Sequence, residues 1–117
     1  MREPIRDTGR LLHILEQLQN VEEFVAGKSL EDLQQDKLLQ YAVVKSIEII
    51  GEAAYMLSLQ FKEGHPQVAW NEIVKMRHVL VHGYYHISPP MVWGIIQDDL
   101  PELRPYIIEF IEELQSK

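Results

Sequence analysis

The sequence contains no cysteine among its 117 residues. This absence excludes a disulfide scaffold, a thiolate metal site and a cysteine nucleophile, and it fits a protein of the reducing cytoplasm. Long hydrophobic runs are also missing, since no stretch approaches the ~20 apolar residues that a membrane span requires. Met1-Arg2-Glu3-Pro4 is followed by no apolar segment, so we expect no signal peptide. The sequence therefore predicts a cytoplasmic protein that does not act on a membrane.

Positive charge is scarce. Eleven Lys and Arg residues face 18 Asp and Glu residues, and the formal net charge is −7. Nonspecific nucleic-acid binders are usually basic, because phosphate neutralisation and counterion release drive their binding. The composition therefore excludes a broad nucleic-acid surface, so any action on RNA must come from a local site. A partner with a basic surface fits this charge at least as well.

The size and patterning of the chain indicate one helical domain. Its 117 residues and 46% hydrophobic content are enough for one core, and we find no repeat or interdomain linker, so we interpret residues 1–117 as a single domain. Apolar residues recur at three- and four-residue intervals, and no segment alternates as a strand would. The predicted helices cover about 11–25, 36–61, 70–82, 89–99 and 101–114.

The predicted helix ends have local signals. Ser29 and Asp36 fit N-caps, Gly27 and Gly83 are placed to end helices, and Ser88-Pro89 is a strong start. With short connections between helices, the fold class is all-α, an up-and-down bundle of four to five helices. So small a domain leaves much apolar surface, and we expect it to form a dimer.

Residues 70–86 read WNEIVKMRHVLVHGYYH and contain an R-x-x-x-x-H-x-Y pattern formed by Arg77, His82 and Tyr84. On one continuous helix, Arg77 and His82 would lie about 140° apart and ~7.5 Å along the axis, so both could border a groove. Arginine offers a planar fork of donors to a phosphate. Histidine titrates near neutrality and can move a proton.

This pair matches the needs of RNA cleavage without a metal. One group removes the proton of the ribose 2′-hydroxyl, another protonates the leaving 5′-oxygen, and a cation stabilises the phosphorane. His82 alone cannot be base and acid within one step. A homodimer would supply a second copy, and His78 is another candidate within one subunit. The alternatives without a catalytic role are that the histidine is structural and that Arg77 pairs with Glu52 or Glu72.

Several ordered blocks extend the pattern beyond this pair. They are IEIIGEA at residues 47–53, Trp70 with Ile73, Met76-Arg77, residues 80–84, Val92-Trp93 and residues 99–103. Over about residues 5 to 112, the chain resembles the HepT branch of the HEPN superfamily. These are toxins paired with a minimal nucleotidyltransferase (MNT) antitoxin.

The resemblance implies a five-helix bundle that forms a homodimer, with the motifs meeting in a cleft at the interface. Arg77 and His82 would be the catalytic pair of a metal-independent endoribonuclease that needs no cofactor. Tyr84 would be the residue to which the cognate antitoxin transfers AMP, inactivating the toxin. Many relatives have Asn at the position of His78 and Asp at that of Ser88. These departures leave the three motif residues in place.

Two other sites allow more than one interpretation. His78, His82 and His86 recur every four residues and suggest zinc, but Gly83 is expected to break the helix and no fourth ligand is obvious, so we predict no metal. Glu52 is either a buried acid paired with Arg or Lys, or the residue that orients Arg77.

A second function class also stays open. The chain could be a non-catalytic subunit of a nucleotidyltransferase complex that binds a nucleotide or a partner protein. The acidic charge favours this class, and the intact motif favours the ribonuclease.

Overall fold

The first half of the molecule is helical, as predicted, with one additional short helix between the two that the sequence predicts. The computed structural model describes residues 2–79, 81–82 and 86–117, with side chains for 7–76 and 86–117. Helix α1 spans Arg2–Val25, α2 Leu30–Gln35 and α3 Lys37–Met56. Gly27 follows α1 with φ of +73°, a left-handed conformation that glycine adopts without strain.

The caps of α2 and α3 are as the sequence predicts. Ser29 caps α2 by accepting the N–H of Asp32, while its own N–H and hydroxyl donate to the Asp32 carboxylate. These bonds, the backbone one first, lower the pKa of Asp32, and nearby Lys28 adds to the effect. Asp36 caps α3 by accepting the N–H of Leu39 at 3.1 Å.

The long helix expected to reach Phe61 is interrupted. Helix α4 is a separate element, Leu59–Gly64, and Ser58 caps it by accepting the N–H of Phe61. The backbone N–H of Ser58 donates to Asp7 Oδ1 at 2.8 Å, and its hydroxyl donates to Asp7 Oδ2 at 2.7 Å. Because that N–H bonds to Asp7 instead of the carbonyl of Ala54, the helical ladder stops. The carbonyl of Ala54 accepts instead from Lys62 Nζ and from the N–H of Leu57.

Helix α5 ends earlier than predicted. It spans Trp70–Val79, and the chain then forms a two-residue strand β1, Val81–His82, antiparallel to β2, His86–Ile87. The predictions of a helix through His82 and of no strand at all are wrong here. Residues 79–81 read Val-Leu-Val, and β-branched residues favour a strand. Pairing with β2 also satisfies backbone groups that follow the helix.

The C-terminal region is one continuous helical run instead of two helices. Helix α6, Pro89–Gly94, leads through a π-helical segment, Ile95–Asp99, into α7, Leu100–Gln115. The N–H of Leu100 donates to the carbonyl of Ile95, five residues back. The expected restart at Pro101 is therefore wrong. A wider π turn relieves the clash between a proline ring and the carbonyl four residues before it, so the helix continues.

The helices pack as an all-α bundle, which confirms the predicted fold class. Helix α1 packs against α3 and α7, α3 also packs against α5, and α2 packs against α6. Trp70 is buried, and Trp93 and Tyr106 pack partly buried against the core. No described helix is both long and apolar enough to cross a membrane. The largest fully buried side chains are Leu11, Ile14, Leu33, Val43, Ile47, Ile50, Val92, Ile107 and Phe110.

Candidate functional site

The motif spans the end of α5 and the start of the β ladder. Arg77 is in the last turn of α5 and His82 is the second residue of β1. Because the helix ends between them, the 140° separation expected on one helix does not apply. Two helical steps and three extended residues limit their Cα separation to about 14 Å. The side chains of Arg77, His78 and His82, and all of Tyr84, lie outside the described residues.

An aromatic cluster anchors the start of α5. The indole N–H of Trp70 donates to the carbonyl of His65 at 2.9 Å, and its ring packs on Phe61 and Phe110 with centroids 6.0 and 6.2 Å away. His65 stacks on Phe61 at 4.0 Å and contacts Glu113 Oε1 through Nε2 at 2.9 Å. This cluster ties the first turn of α5 to α4 and α7.

The same anchor sets the direction of α5. Its first turn lies beside α4, which follows the C-terminal end of α3, and Lys62 of α4 donates to carbonyls of the last turn of α3. Since α5 packs along α3, it must run back towards the middle of that helix. Arg77 comes seven residues after Trp70, or about 10 Å along the axis. Its backbone therefore lies beside the C-terminal half of α3.

Glu52 is in that part of α3. It is exposed, whereas its neighbours Gly51 and Ala53 are buried, so the interpretation of Glu52 as a buried acid is wrong. Glu52 also interacts within its own chain. The acid is thus on the accessible side of α3 while the small residues beside it allow close packing. This position keeps Glu52 available as a positioning residue for Arg77.

The ladder adds a histidine, His86, that the sequence pattern suggests only as a metal ligand. His82 and His86 are Cα partners in the register, and His86 is exposed. Residues directly opposite in an antiparallel ladder are close neighbours on one face. The sequence signal for this pairing is Val-His followed, after three residues, by His-Ile, an order that is symmetric about the three intervening residues. The register makes His86 a candidate second imidazole at the motif.

The helical argument for zinc no longer applies, because α5 ends before His82 and His78 does not share a helical face with it. Among the described side chains, no group of three or more His, Asp or Glu is arranged to hold a metal ion.

A pocket of about 390 Å³ lies on another side of α5, against the π segment and α7. The residues that line it include three acids, Glu72, Asp99 and Glu102, and one cation, Lys75. Burial, then the charges of Asp98 and Glu102, raise the pKa of Asp99. Such a lining repels phosphate, so this pocket does not fit the backbone of RNA.

Comparisons with known proteins agree with the motif. The family model described as "Ribonuclease HepT-like" matches residues 14–110. A "Putative RNase" of Caldanaerobacter subterraneus subsp. tengcongensis is 39% identical over 103 residues, 88% of this chain and 92% of that protein. A "Probable ribonuclease HepT" of Thermococcus cleftensis is 36% identical over 91 residues, 78% of this chain and 83% of that protein.

One longer relative has a second part. A "Gamma-glutamylcyclotransferase and putative RNase" of Methanocaldococcus jannaschii is 36% identical over 106 residues, which are 91% of this chain but 48% of that protein. No solved structure matches the chain significantly. The family model covers most of the chain, and the two relatives described first match it over 92% and 83% of their own length. The chain belongs to the HepT-like ribonuclease family.

Proposed function

We propose that this protein is a metal-independent endoribonuclease and the toxin of a toxin–antitoxin pair, with Arg77 and His82 as its catalytic residues in the cleft of a homodimer. The observation that carries the proposal is the arrangement of the motif in a chain of this family. Arg77 is on the last turn of α5, and His82 follows within about 14 Å in β1. A phosphate-binding group and a proton-transfer group thus lie on one short backbone unit.

The chemistry follows from these two residue types. A base removes the proton from the 2′-hydroxyl, and the 2′-oxygen attacks the phosphorus. The bond to the 5′-oxygen breaks, an acid protonates that oxygen, and the product ends in a 2′,3′-cyclic phosphate. The Arg77 guanidinium stabilises the charge that develops on the phosphoryl oxygens. Glu52 positions Arg77 from α3.

The second proton-transfer group has three candidate sources. His82 of the partner subunit is one, and it makes the dimer necessary for activity. His86 is another, because its register places it opposite residue 82 in the same subunit. His78 is the third, one residue after Arg77. Single variants of His86 and His78 distinguish them, since loss of the true acid or base lowers kcat by about 10²-fold or more.

RNA cleavage in EDTA tests the catalytic proposal. Wild type should cut RNA, whereas His82→Ala and Arg77→Ala should lose at least about 100-fold in rate. A matched RNA carrying 2′-O-methyl groups should remain intact, because its 2′-oxygen cannot lose a proton. Equal cleavage by wild type and His82→Ala would refute the assignment, as would cleavage of the 2′-O-methyl RNA.

Tyr84 is the proposed acceptor in regulation of this enzyme. A nucleotidyltransferase antitoxin would transfer AMP from ATP to the Tyr84 hydroxyl, forming a phosphodiester bond and releasing pyrophosphate. The product adds bulk and a negative charge two residues after His82, where the substrate phosphate must approach Arg77. Modified protein should therefore lose RNA cleavage.

Mass spectrometry of the protein incubated with antitoxin and ATP tests this step. Tyr85, the next residue, supplies a matched control. Tyr85→Phe should gain AMP like wild type, and Tyr84→Phe should gain none. Modification of Tyr84→Phe to the wild-type extent would refute Tyr84 as the acceptor and leave the ribonuclease assignment untouched.

The non-catalytic alternative is favoured by one observation, the net charge of −7. A subunit that only binds a nucleotide or a nucleotidyltransferase needs no RNA-cleaving motif. Unmodified wild type that forms the antitoxin complex but leaves RNA intact would establish that alternative.

A further inference from the structure

The pocket of about 390 Å³ beside α5 is a groove between two helical faces. One wall belongs to α5 and the residue before it, and its members recur at three- and four-residue intervals: Ala69, Glu72, Ile73 and Met76. The opposite wall belongs to the π segment and α7, and is formed by Ile95, Asp99, Glu102, Leu103 and Tyr106. We call the space between these walls the α5–α7 groove. Its volume lies in the range of small-molecule sites, roughly 300–1,000 Å³.

The floor of the α5–α7 groove is apolar. Ile73 and Met76 on one wall are buried, as are Ile95 and Leu103 on the other. These side chains line an open groove, so in the absence of a ligand part of their surface faces water. A ligand with an apolar body would remove that surface from water, which is favourable by about 25 cal/mol per Å².

The acids at the groove are exposed and belong to both walls. Glu72 is on α5, whereas Asp99 and Glu102 are on the opposite side. Within the described residues, none of the three takes part in an ion pair. Burial, then the charges of Asp98 and Glu102, raise the pKa of Asp99, as expected for a carboxylate that lacks a cation. Lys75, the cation of the lining, can offset only one of these charges.

The apolar floor and the acids together define the class of ligand. A bare metal ion would leave the floor in contact with water, and no group of three or more acids or histidines among the described side chains is arranged to hold one. An uncharged hydrocarbon would cover the floor and leave the acids without partners. Acids on both walls instead favour a flexible apolar chain that carries more than one positive charge.

We propose that the α5–α7 groove binds an aliphatic polyamine. Its methylene segments cover the apolar floor, while its ammonium groups donate charge-assisted hydrogen bonds to Glu72 on one wall and to Asp99 and Glu102 on the other. The groove is on another side of α5 from the one that packs on α3. This ligand site therefore goes beyond the proposed ribonuclease function and does not depend on it.

Isothermal titration calorimetry of the full chain with the triamine spermidine tests the site. Wild type should show saturable binding. Glu72→Gln and Glu102→Gln should each raise Kd at least about threefold, and the triple variant that adds Asp99→Asn should raise it at least about 20-fold. Glu31→Gln removes the same charge from α2, which does not line the groove, and should leave Kd unchanged.

Two further variants test the sign of the charge and the apolar body separately. Lys75→Gln removes the cation that competes with the ligand and should lower Kd about two- to threefold, whereas Lys117→Gln at the end of the chain should have no effect. Ala69→Phe places an aromatic ring in the groove without a change of charge, at an exposed position that need not disturb folding. It should raise Kd at least about 10-fold, and circular dichroism checks that it remains helical.

Each result supports or overturns the inference. Absence of saturable binding to wild type would overturn it, as would binding that survives the triple variant or a correctly folded Ala69→Phe. Magnesium chloride should weaken spermidine binding no more than sodium chloride of equal ionic strength does. Much stronger competition by magnesium would identify a metal site in place of the polyamine site. Equal tightening by Lys75→Gln and Lys117→Gln would reduce the effect to overall charge and reject the groove.

Discussion

Replacing Asp7 with Ala should destabilise the junction between α3 and α4. Asp7 is buried in α1, and its two carboxylate oxygens accept from the N–H and the hydroxyl of Ser58 at 2.8 and 2.7 Å. These bonds interrupt the long helix and orient the cap of α4.

The expected loss of stability follows from those two bonds. Each hydrogen bond to an ionised group contributes about 1.5–3 kcal/mol, part of which is offset because the buried carboxylate no longer has to be desolvated. We expect Asp7→Ala to lower the free energy of unfolding by about 2–4 kcal/mol and Tm by roughly 10 °C. Asp7→Asn should cost only about 1 kcal/mol, since its amide oxygen still accepts the N–H of Ser58.

Urea unfolding followed by circular dichroism measures these values. The double variant Asp7→Ala/Ser58→Ala completes a cycle in which the side-chain bond should appear as a coupling of about 1 kcal/mol or more. A cost below about 1 kcal/mol for Asp7→Ala, or no coupling, would show that Asp7 does not hold the junction.

Two further predictions concern single residues. Asp99→Asn should raise Tm at neutral pH. The pKa of Asp99 is raised in the folded chain, which therefore binds the proton more tightly than the unfolded chain does. Ionised Asp99 is for this reason unfavourable for folding, and Asn removes that charge. The advantage should vanish as pH falls through the raised pKa, and a pH-independent gain would contradict this cause. Gly27→Ala should cost about 1–2 kcal/mol in urea unfolding through its φ of +73° alone, because an added Cβ meets no atom within 4 Å. No measurable cost would argue against the left-handed turn.

Features set by neighbouring residues could be predicted from the sequence. The caps at Ser29 and Asp36 depend on a side chain and a backbone N–H three residues later, and the stop after α1 depends on the conformational freedom of Gly27. The apolar stripes of α1 and α3 likewise follow from helical spacing. All of these predictions are confirmed.

The sequence predictions are wrong where the backbone conformation depends on residues that are distant in sequence. The break at Ser58 depends on Asp7, which is 51 residues away in sequence, so no local pattern could reveal it. The end of α5 depends on pairing between Val81–His82 and His86–Ile87. A short apolar run such as Val79-Leu80-Val81 fits a helix or a strand equally well until its partner is known.

The candidate site likewise combines features that the local sequence predicts with features that depend on tertiary contacts. The positions of Arg77 and His82 were found from family blocks that are local in sequence, but their relation was misjudged because a helix was extended past Val79. The pairing of His86 with His82 required the ladder register. The exposure of Glu52 could not be predicted, because helical periodicity does not show which side of α3 remains accessible once α1 and α5 have packed against it.

The acidic charge of the chain is compatible with a ribonuclease only if the cationic groups are concentrated where the phosphate is cleaved. The pocket beside the π segment carries acids at its rim, so RNA must approach elsewhere. The proposed homodimer would bring two α5 ends, and with them two copies of Arg77, to one site. Cations on those ends would act on one phosphate at short range, where Coulomb attraction exceeds the screened repulsion of more distant surface acids. In the proposed mechanism, dimerisation and catalysis are therefore two requirements of one site.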